Sequence, residues 1–252
     1  MKKKINFILL LWRSFFLQAL WNFEGLQNIG FLFALLPFLK KCYPDKEKRQ
    51  EAYQRHLEFF NTQPYMASII IGLTAKMEEK ISEGSQNNII EISNIKKNMA
   101  GPLAAMGDAL FWATLRPFAA ILATGLIFIY VKSNSVIHPL IIPAFFLVIY
   151  NSVQLTFRYM SLRISYELGE KIIEKVASVN FQSILNILRF VSVIILSLIA
   201  LYYFISFGGN AKLIIAILGT FVLTIFWTCL RWPIFLLFYF IIISGVLISI
   251  FL

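Results

Sequence analysis

The chain has 252 residues, of which 59% are hydrophobic and only 14% are charged. Water-soluble domains have about 45–50% apolar and about 25% charged residues, so this composition excludes an ordinary soluble core. The net charge of +10 does not indicate nucleic-acid binding, because the basic residues are scattered over polar connections and segment ends. We therefore expect an integral membrane protein with no nucleic-acid partner.

The acidic residues are unevenly distributed along the chain. Ten of the 13 lie at or before Asp108, and the other three fall in one short stretch at Glu167, Glu170 and Glu174. This asymmetry separates a mixed, charge-bearing first part from a membrane-embedded remainder.

Residues 1–39 are apolar but interrupted by polar side chains, among them Arg13 and Gln18. The start has the basic and apolar regions of a signal peptide, yet its apolar run is short and no small-residue cleavage site follows. Frequent aromatic residues with polar interruptions favour helices that lie in the membrane interface or dip into the bilayer beside other protein. We expect retained amphipathic and re-entrant helices here.

Residues 40–100 form a mixed polar block with ten Lys or Arg and eight Asp or Glu residues. Helical periodicity runs through about residues 46–60, after a Pro-Asp turn, and again through about residues 89–98, after a polar loop. We expect this block to be helical, partly exposed to water and cytoplasmic.

Residues 101–252 form the membrane-embedded part. Gly101 and Pro102 open it, and this pair predicts a re-entrant or broken element packed on protein. Five apolar stretches follow, each of roughly the 20 residues that span a bilayer. They lie at about residues 110–131, 137–157, 187–207, 212–230 and 233–252.

The predicted fold is therefore one all-α integral membrane domain. Its first half contains amphipathic and re-entrant helices, and about five membrane-spanning or membrane-embedded helices follow. If the first two apolar stretches both span, the Lys- and Arg-rich blocks 40–100 and 158–180 share one side, which should be the cytoplasm. Partial re-entry of the central segments would reverse the orientation of the later ones, and residues 187–252 would also accommodate one hairpin with interfacial helices.

No metal site, disulfide framework or cofactor is expected. Cys42 and Cys229 are far apart, and neither His56 nor His138 has a partner at metal-ligand spacing. The sequence contains no P-loop, nucleophile elbow or zinc-protease motif. We do not expect this chain to be an enzyme by itself.

Four motifs follow one another in the first half of the chain. They read N-F-E-G-L-Q-N-I-G-F at 22–31, R-H-L-E-F-F-N-T-Q-P-Y-M-A-S at 55–68, M-E-E at 77–79 and G-P-L-A-A-M-G-D-A-L-F-W at 101–112. This order closely resembles the IID subunits of mannose/fructose/sorbose-family phosphotransferase systems. That family shows N-Y-E-R-M-Q-N-x-G-F, R-H-L-E-F-F-N-T-H-P-Y-M-A-S, A-M-E-E-E and G-P-L-A-G-I-G-D-S-L-F-W.

The resemblance implies a non-catalytic membrane subunit in a bacterial cytoplasmic membrane. IID subunits pair with IIC subunits to form the sugar-translocating part of a hetero-oligomer. Soluble IIA and IIB subunits relay phosphate from phosphoenolpyruvate on their own histidines, and the sugar is phosphorylated as it enters. The implied partners are thus a IIC subunit, the IIA and IIB subunits, a hexose sugar and membrane lipid.

The chain departs from the family pattern within three of the four motifs. Gly25 replaces an arginine, Gln63 replaces a histidine, and Ala105 and Met106 replace a Gly-Ile pair. These departures keep open a second interpretation, an orphan IID-like membrane receptor or structural protein without transport activity.

The first motif contains a cluster of candidate substrate-binding residues: Asn22, Glu24, Gln27 and Asn28. The last three stand at i, i+3 and i+4, so they would share one face of a helix. A carboxylate and two amides can accept and donate several hydrogen bonds, which suits the vicinal hydroxyl groups of a sugar. The alternative is a structural network that joins this helix to a partner subunit.

Asn61 and Asp108 complete the candidate substrate-binding set. Asn61 lies ahead of Pro64, where a helix break exposes backbone groups to a ligand, although a helix cap is the alternative. Asp108 opens the membrane part, where an acid is costly unless it is functional or paired. Arg116 is the expected partner if Asp108 is structural.

Two further features have mainly structural interpretations. We expect His56 to be a capping or surface histidine rather than a phosphate acceptor. Glu78 and Glu79, together with Lys76 and Lys80, are expected to form a solvated helix face, with a docking surface as the alternative.

Overall fold

The computed structural model describes residues 5–85, 88–133, 140–206, 239, 242 and 243. The regular elements of these residues are helices. The chain divides into two compact units, residues 1–195 and 196–252. The candidate site and its surroundings belong to the first unit.

The first two helices are α1, Phe7–Ser14, and α2, Asn28–Cys42. Asn6 caps α1, because its side-chain oxygen accepts a hydrogen bond from the Leu9 amide at 3.0 Å. Helix α2 is buried along most of its length by the rest of the chain, and it contains a proline. Helices beside other protein were expected in this region, and their entry into the membrane stays a prediction.

Helix α3 spans Lys46–His56 and helix α4 spans Ala67–Ser82. The Asp45 carboxylate caps α3 by accepting a hydrogen bond from the Lys48 amide at 3.0 Å. Helix α3 ends before the predicted boundary near residue 60, because the chain leaves helical geometry ahead of Pro64. In α4, 12 of 16 residues are buried, so this helix forms the centre of the fold.

A long helical stretch follows, in three parts. Helix α5, Asn88–Gly107, continues into a π-helical segment, Asp108–Leu115, and then into α6, Arg116–Ser133. The break predicted at Gly101 and Pro102 is wrong, because α5 runs through both residues, whereas the alternative of a re-entrant element stays a prediction. Proline removes one backbone donor without ending the helix, and the departure from α-helical geometry comes further along, at the π-helical segment.

The remaining elements are α7, Ile141–Leu168, the short helix α8, Lys171–Ser178, and α9, Phe181–Ser206. Gly169 ends α7 with a φ of +58° that glycine adopts readily. Helix α7 extends past the predicted end near residue 157, because the polar residue that closes the apolar pattern, Arg158, is buried against protein.

Three helical stretches are long and apolar enough to cross a membrane: Ile89–Ile127, Ile141–Leu168 and Phe181–Tyr202. They cover the first three predicted apolar stretches in large part, and they support the expected all-helical membrane class. The stretches predicted at 212–230 and 233–252 lie outside the described residues. The number of five spans therefore stays a prediction.

Helices α4 and α7 lie in close contact at Gly72. A Cβ atom at this position would lie 2.3 Å from the Leu162 carbonyl oxygen and 3.0 Å from Ser165 Cβ. A backbone carbonyl inside a helix has little freedom to move aside. Glycine is therefore required at this crossing for steric reasons.

We predict that Gly72→Ala forces the two helices apart and lowers the free energy of unfolding by about 1–3 kcal/mol. The measurement is the thermal midpoint of the purified protein in detergent. Gly101→Ala is the matched control, because a Cβ atom there has open space and alanine favours a helix. Identical midpoints for Gly72→Ala and the unmodified protein would contradict the close crossing.

Candidate functional site

Three segments that carry candidate residues lie against one another. The first loop, residues 22–28, leads into α2; the second loop, residues 57–66, connects α3 to α4; and residues 100–108 lead from α5 into the π-helical segment. Hydrogen bonds join the first loop to the second and the second loop to α5. The chain thus gathers three of its four characteristic motifs in one place.

The first loop is a tight turn held by backbone bonds. Asn22 and Leu26 exchange N–H to carbonyl hydrogen bonds of 3.1 and 3.0 Å. The Gln27 amide then donates to the Phe60 carbonyl of the second loop at 2.9 Å. The two loops are therefore connected through their main chains.

Gln27 strengthens this connection with its side chain. Its Nε2 donates to the Thr62 carbonyl at 2.8 Å, and its Oε1 accepts from the Thr62 amide at 3.0 Å. Thr62 in turn donates from Oγ1 to the Ala100 carbonyl at 2.8 Å, which reaches α5. The side-chain amide of Gln27 is buried, and both its nitrogen and its oxygen bond to Thr62 of the same chain.

Asn22 and Asn28 hold the first loop from within. Asn28 Nδ2 donates to the Leu57 carbonyl at 2.6 Å, and Asn28 Oδ1 accepts from Asn22 Nδ2 at 2.9 Å. Asn22 Oδ1 accepts the amides of Glu24 and Gly25 at 3.1 and 2.7 Å. A Cβ atom at Gly25 would lie 2.0 Å from Asn28 Nδ2, so a side chain there would displace the Asn28 amide group from its hydrogen bonds.

The expected helical face of Glu24, Gln27 and Asn28 is therefore wrong. Helix α2 begins only at Asn28, because the Asn22 side chain satisfies the preceding amides and stabilises a turn instead. Gln27 and Asn28 face the protein, whereas Glu24 is exposed. Within the described part of the chain, the Glu24 carboxylate makes no hydrogen bond or ion pair.

Asp108 and Asn61 are also exposed. Asp108 is the first residue of the π-helical segment, and its expected ion pair with Arg116 is not formed. Asn61 caps neither neighbouring helix, since α3 ends at His56 and Met66 precedes the first residue of α4. Both side chains project from the assembled motifs into space outside this chain.

Gln63, one of the departures from the family pattern, has a local structural role. Its Oε1 accepts the backbone amides of Tyr65 and Met66 at 2.8 and 3.0 Å, which caps the approach to α4. Its side-chain carbons pack so closely on Gly107 that a Cβ atom there would lie 2.6 Å from Gln63 Cβ. This contact holds the second loop against the residue that precedes Asp108.

The six predicted site residues thus fall into two groups. Asn22, Gln27 and Asn28 are fixed by internal hydrogen bonds and shape the loops. Glu24, Asn61 and Asp108 present oxygen atoms that can accept hydrogen bonds from hydroxyl groups. Among the described residues, no three His, Cys, Asp or Glu side chains are grouped to hold a metal ion.

A buried charge network lies next to the site, and the sequence reasoning missed it. The Glu78 side chain is 0% exposed, and Arg55 Nε donates to its Oε1 at 2.7 Å. His56 Nε2 donates to the same oxygen at 2.9 Å, and the Tyr43 hydroxyl donates to Oε2 at 2.6 Å. Glu79 is also buried and pairs with Lys76 at 2.7 Å.

The expected solvated face at Glu78 and Glu79 is therefore wrong, as is the expected surface position of His56. Helix α4 is surrounded by protein, so both carboxylates lie inside the fold. His56 is 0% exposed and is inaccessible to a phosphate donor. Its position beside an acid 22 residues away follows from tertiary packing, which no local pattern indicates.

The network contains one permanent ion pair. Burial raises the pKa of Glu78, but the hydrogen bonds from His56 and Arg55 and the charge of Arg55 outweigh this effect and lower that pKa to about 2. Burial also lowers the pKa of His56, so its imidazole is neutral and donates from Nε2. Burial and the nearby carboxylate raise the pKa of Tyr43, which keeps its hydroxyl protonated.

We predict that acid weakens the fold through Glu78. Its pKa falls from an ordinary 4.5 to about 2 on folding, so its contribution is complete above pH 4.5 and is lost as the pH falls toward 2. Glu78→Gln should lower the free energy of unfolding at neutral pH by about 3–5 kcal/mol, since Arg55 loses its partner. Between pH 4.5 and 2, the thermal midpoint of the same variant should fall less steeply than that of the unmodified protein.

The matched control for this prediction is Glu51→Gln, which changes an exposed carboxylate of α3. Its midpoint at neutral pH and its acid profile should follow those of the unmodified protein. A neutral-pH midpoint for Glu78→Gln equal to that of the control would contradict the buried ion pair.

Known proteins resemble this chain in both sequence and fold. A family model described as the PTS system mannose/fructose/sorbose family IID component matches residues 2–215. The mannose-specific EIID component of Escherichia coli (strain K12) is 39% identical over 163 residues, which cover 64% of this chain and 55% of that protein. The fructose permease IID component of Bacillus subtilis (strain 168) is 37% identical over 172 residues, which cover 68% and 60%.

These curated relatives are longer, and the matched region spans just over half of their length. Two solved structures are similar over 78% of this chain and 70% of theirs, each at 34% identity. One, at a TM-score of 0.59, is described as a complex of the mannose transporter ManYZ and microcin E492, and the other, at 0.67, as a membrane protein. With its motifs gathered at one site, the chain belongs to the mannose/fructose/sorbose family of phosphotransferase-system IID components.

Proposed function

We propose that this chain is the IID membrane subunit of a phosphoenolpyruvate-dependent sugar phosphotransferase system. With a IIC subunit it forms the translocation path for a mannose-, fructose- or sorbose-type sugar, which IIB phosphorylates on entry. The location is the bacterial cytoplasmic membrane, which the chain crosses several times. The observation that carries this proposal is the joining of the first and second loops and α5 by the hydrogen bonds of Gln27 and Thr62.

The proposed sugar contacts are Glu24, Asn61 and Asp108. All three are exposed and present acceptor oxygens beside the assembled motifs, and sugar hydroxyl groups are good donors to such oxygens. Asn22, Gln27 and Asn28 support them, since their amides hold the two loops in place. Substrate selection in this proposal depends on the rigid loops as well as on the exposed acceptors.

The proposed IIC contact is an aromatic surface next to these residues. Phe23, which precedes Glu24, is 94% exposed, and its ring lies 5.2 Å from that of Trp21. Trp12 and Phe59 are 60% and 58% exposed. Exposed aromatic side chains mark interaction surfaces, and a partner seated on Phe23 and Trp21 would cover the neighbouring Glu24.

A second candidate function is that of an IID-like receptor without transport activity. Gly25 favours it, because the family pattern carries arginine at a position where a side chain in this loop would displace the Asn28 amide group. The two functions differ in whether the chain supports sugar uptake with its IIC, IIA and IIB partners.

We predict that this chain and its partner subunits restore phosphoenolpyruvate-dependent uptake of a hexose in a strain without its own mannose-type system. Glu24→Gln and Asp108→Asn should each lower the uptake rate about tenfold or more, because each variant removes a charged acceptor for sugar hydroxyl groups. The amount of protein in the membrane should stay the same. Radiolabelled sugar uptake and immunodetection provide the two measurements.

The matched control for transport is Glu47→Gln, which changes an exposed carboxylate in α3 away from the site motifs. It should transport like the unmodified chain. Unchanged uptake in Glu24→Gln and Asp108→Asn would defeat the site assignment, while no uptake by the unmodified system would favour the receptor function.

We also predict that Phe23→Ala combined with Trp12→Ala reduces co-purification of the IIC subunit severalfold. Aromatic anchors carry much of the binding energy of protein interfaces, so their truncation has large effects. Ile90→Ala is the control, because Ile90 is 76% exposed at the start of α5 and lies outside the aromatic surface. Equal IIC recovery with both variants would exclude this surface as the contact.

A further inference from the structure

Arg158 is a buried cation in α7, one of the helical stretches long enough to cross a membrane. The residue is only 4% exposed. Charged groups in such positions are costly and normally pair with an acid. Among the described residues, no carboxylate lies within ion-pair distance of Arg158.

Two kinds of contact stabilise the Arg158 charge instead. Its Nη1 donates to the carbonyl and hydroxyl oxygens of Ser14, the last residue of α1, at 3.3 and 3.4 Å. Carbonyl groups at a helix C-terminus favour a positive charge. The guanidinium carbon also lies 4.9 Å from the ring centre of Phe15 and 4.7 Å from that of Tyr65. Planar guanidinium groups interact favourably with aromatic faces.

Tyr65 connects this charge to the candidate site. It belongs to the second loop, and its amide donates to Gln63 Oε1 at 2.8 Å. Its ring packs edge to face on Phe111 of the π-helical segment at 4.8 Å, and its hydroxyl lies 3.2 Å from that of Tyr150. One side chain therefore contacts α7 and the π-helical segment together.

We propose that Arg158 is a positioning residue for sugar transport and acts through Tyr65; this inference rests on the proposed function. Asn61 lies in the same loop as Tyr65, and Asp108 lies in the same π-helical segment as Phe111. By holding the Tyr65 ring, Arg158 sets the separation of the two segments that carry these sugar contacts. Arg158 itself does not touch the sugar.

The bonding of Arg158 argues against a purely stabilising role. Its Nε is buried and has no hydrogen-bond partner among the described residues, so the charge is only partly satisfied by them. An apolar residue of similar size often replaces a buried charge with little loss of stability. The presence of arginine at this position is better explained by the aromatic rings that its planar group holds in place.

The test compares Arg158→Met, Arg158→Lys and Tyr65→Ala in the restored uptake system. We expect Arg158→Met to raise the KM for sugar about tenfold, with membrane protein levels and the maximal rate kept within about twofold. Arg158→Lys should recover only part of the affinity, because an ammonium group keeps the charge without a flat face to stack on two rings. Arg163→Met is the control, since Arg163 is exposed on the same helix.

The double variant Arg158→Met with Tyr65→Ala decides whether the two residues act together. Residues that act through one contact give a double variant no worse than the more affected single variant. Multiplied effects on KM, or a KM unchanged in Arg158→Met, would overturn the inference while leaving transport intact. If Arg158→Met fails to accumulate in the membrane, Arg158→Lys decides the question. A normal KM in Arg158→Lys overturns the inference, and a raised KM supports it. No uptake by the unmodified system would instead defeat the proposed function.

Discussion

The burial of Glu78 in α4, where 12 of 16 residues are buried, is the constraint on which the rest of this structure depends. A helix surrounded by protein has no solvent with which to stabilise its charges, so Glu78 must find its partners inside. Arg55 and His56 of α3 and Tyr43 after α2 supply them. The same carboxylate thereby ties α3 and the end of α2 to the central helix, and the loops before α2 and after α3 carry the candidate sugar contacts Glu24 and Asn61.

The sequence predicts the helical membrane class and the family well, for physical reasons. Long apolar runs are the necessary consequence of crossing a bilayer, and three of them coincide with helices of sufficient length. Four motifs in a fixed order identify the family. Each combines turn-forming and polar residues, and local folding alone rarely requires such combinations. By contrast, Pro102 predicted a break that did not occur, since a helix that loses one donor can continue when its surroundings support it.

The segments that the sequence singles out lie together in the fold, but the sequence mispredicts which of their side chains face the protein. The i, i+3, i+4 spacing of Glu24, Gln27 and Asn28 is helical only if the backbone is helical, and the Asn22 side chain favours a turn. Whether an amide serves a ligand or the fold depends on partners 35 residues away, as for Gln27 and Thr62. Spacing in the sequence contains no information about such pairs, and the same is true of Glu78 and His56.

The distribution of acids explains why aromatic rings take part in charge stabilisation here. No Asp or Glu occurs between Asp108 and Glu167, so a buried cation in that region has no local carboxylate with which to pair. A carboxylate would neutralise Arg158 whatever the orientation of Tyr65. Ring faces stabilise a cation only when they lie over it, which makes the orientation of Tyr65 part of the energetic balance. The lack of acids thus couples the stability of a membrane helix to the geometry of the second loop, where Asn61 lies.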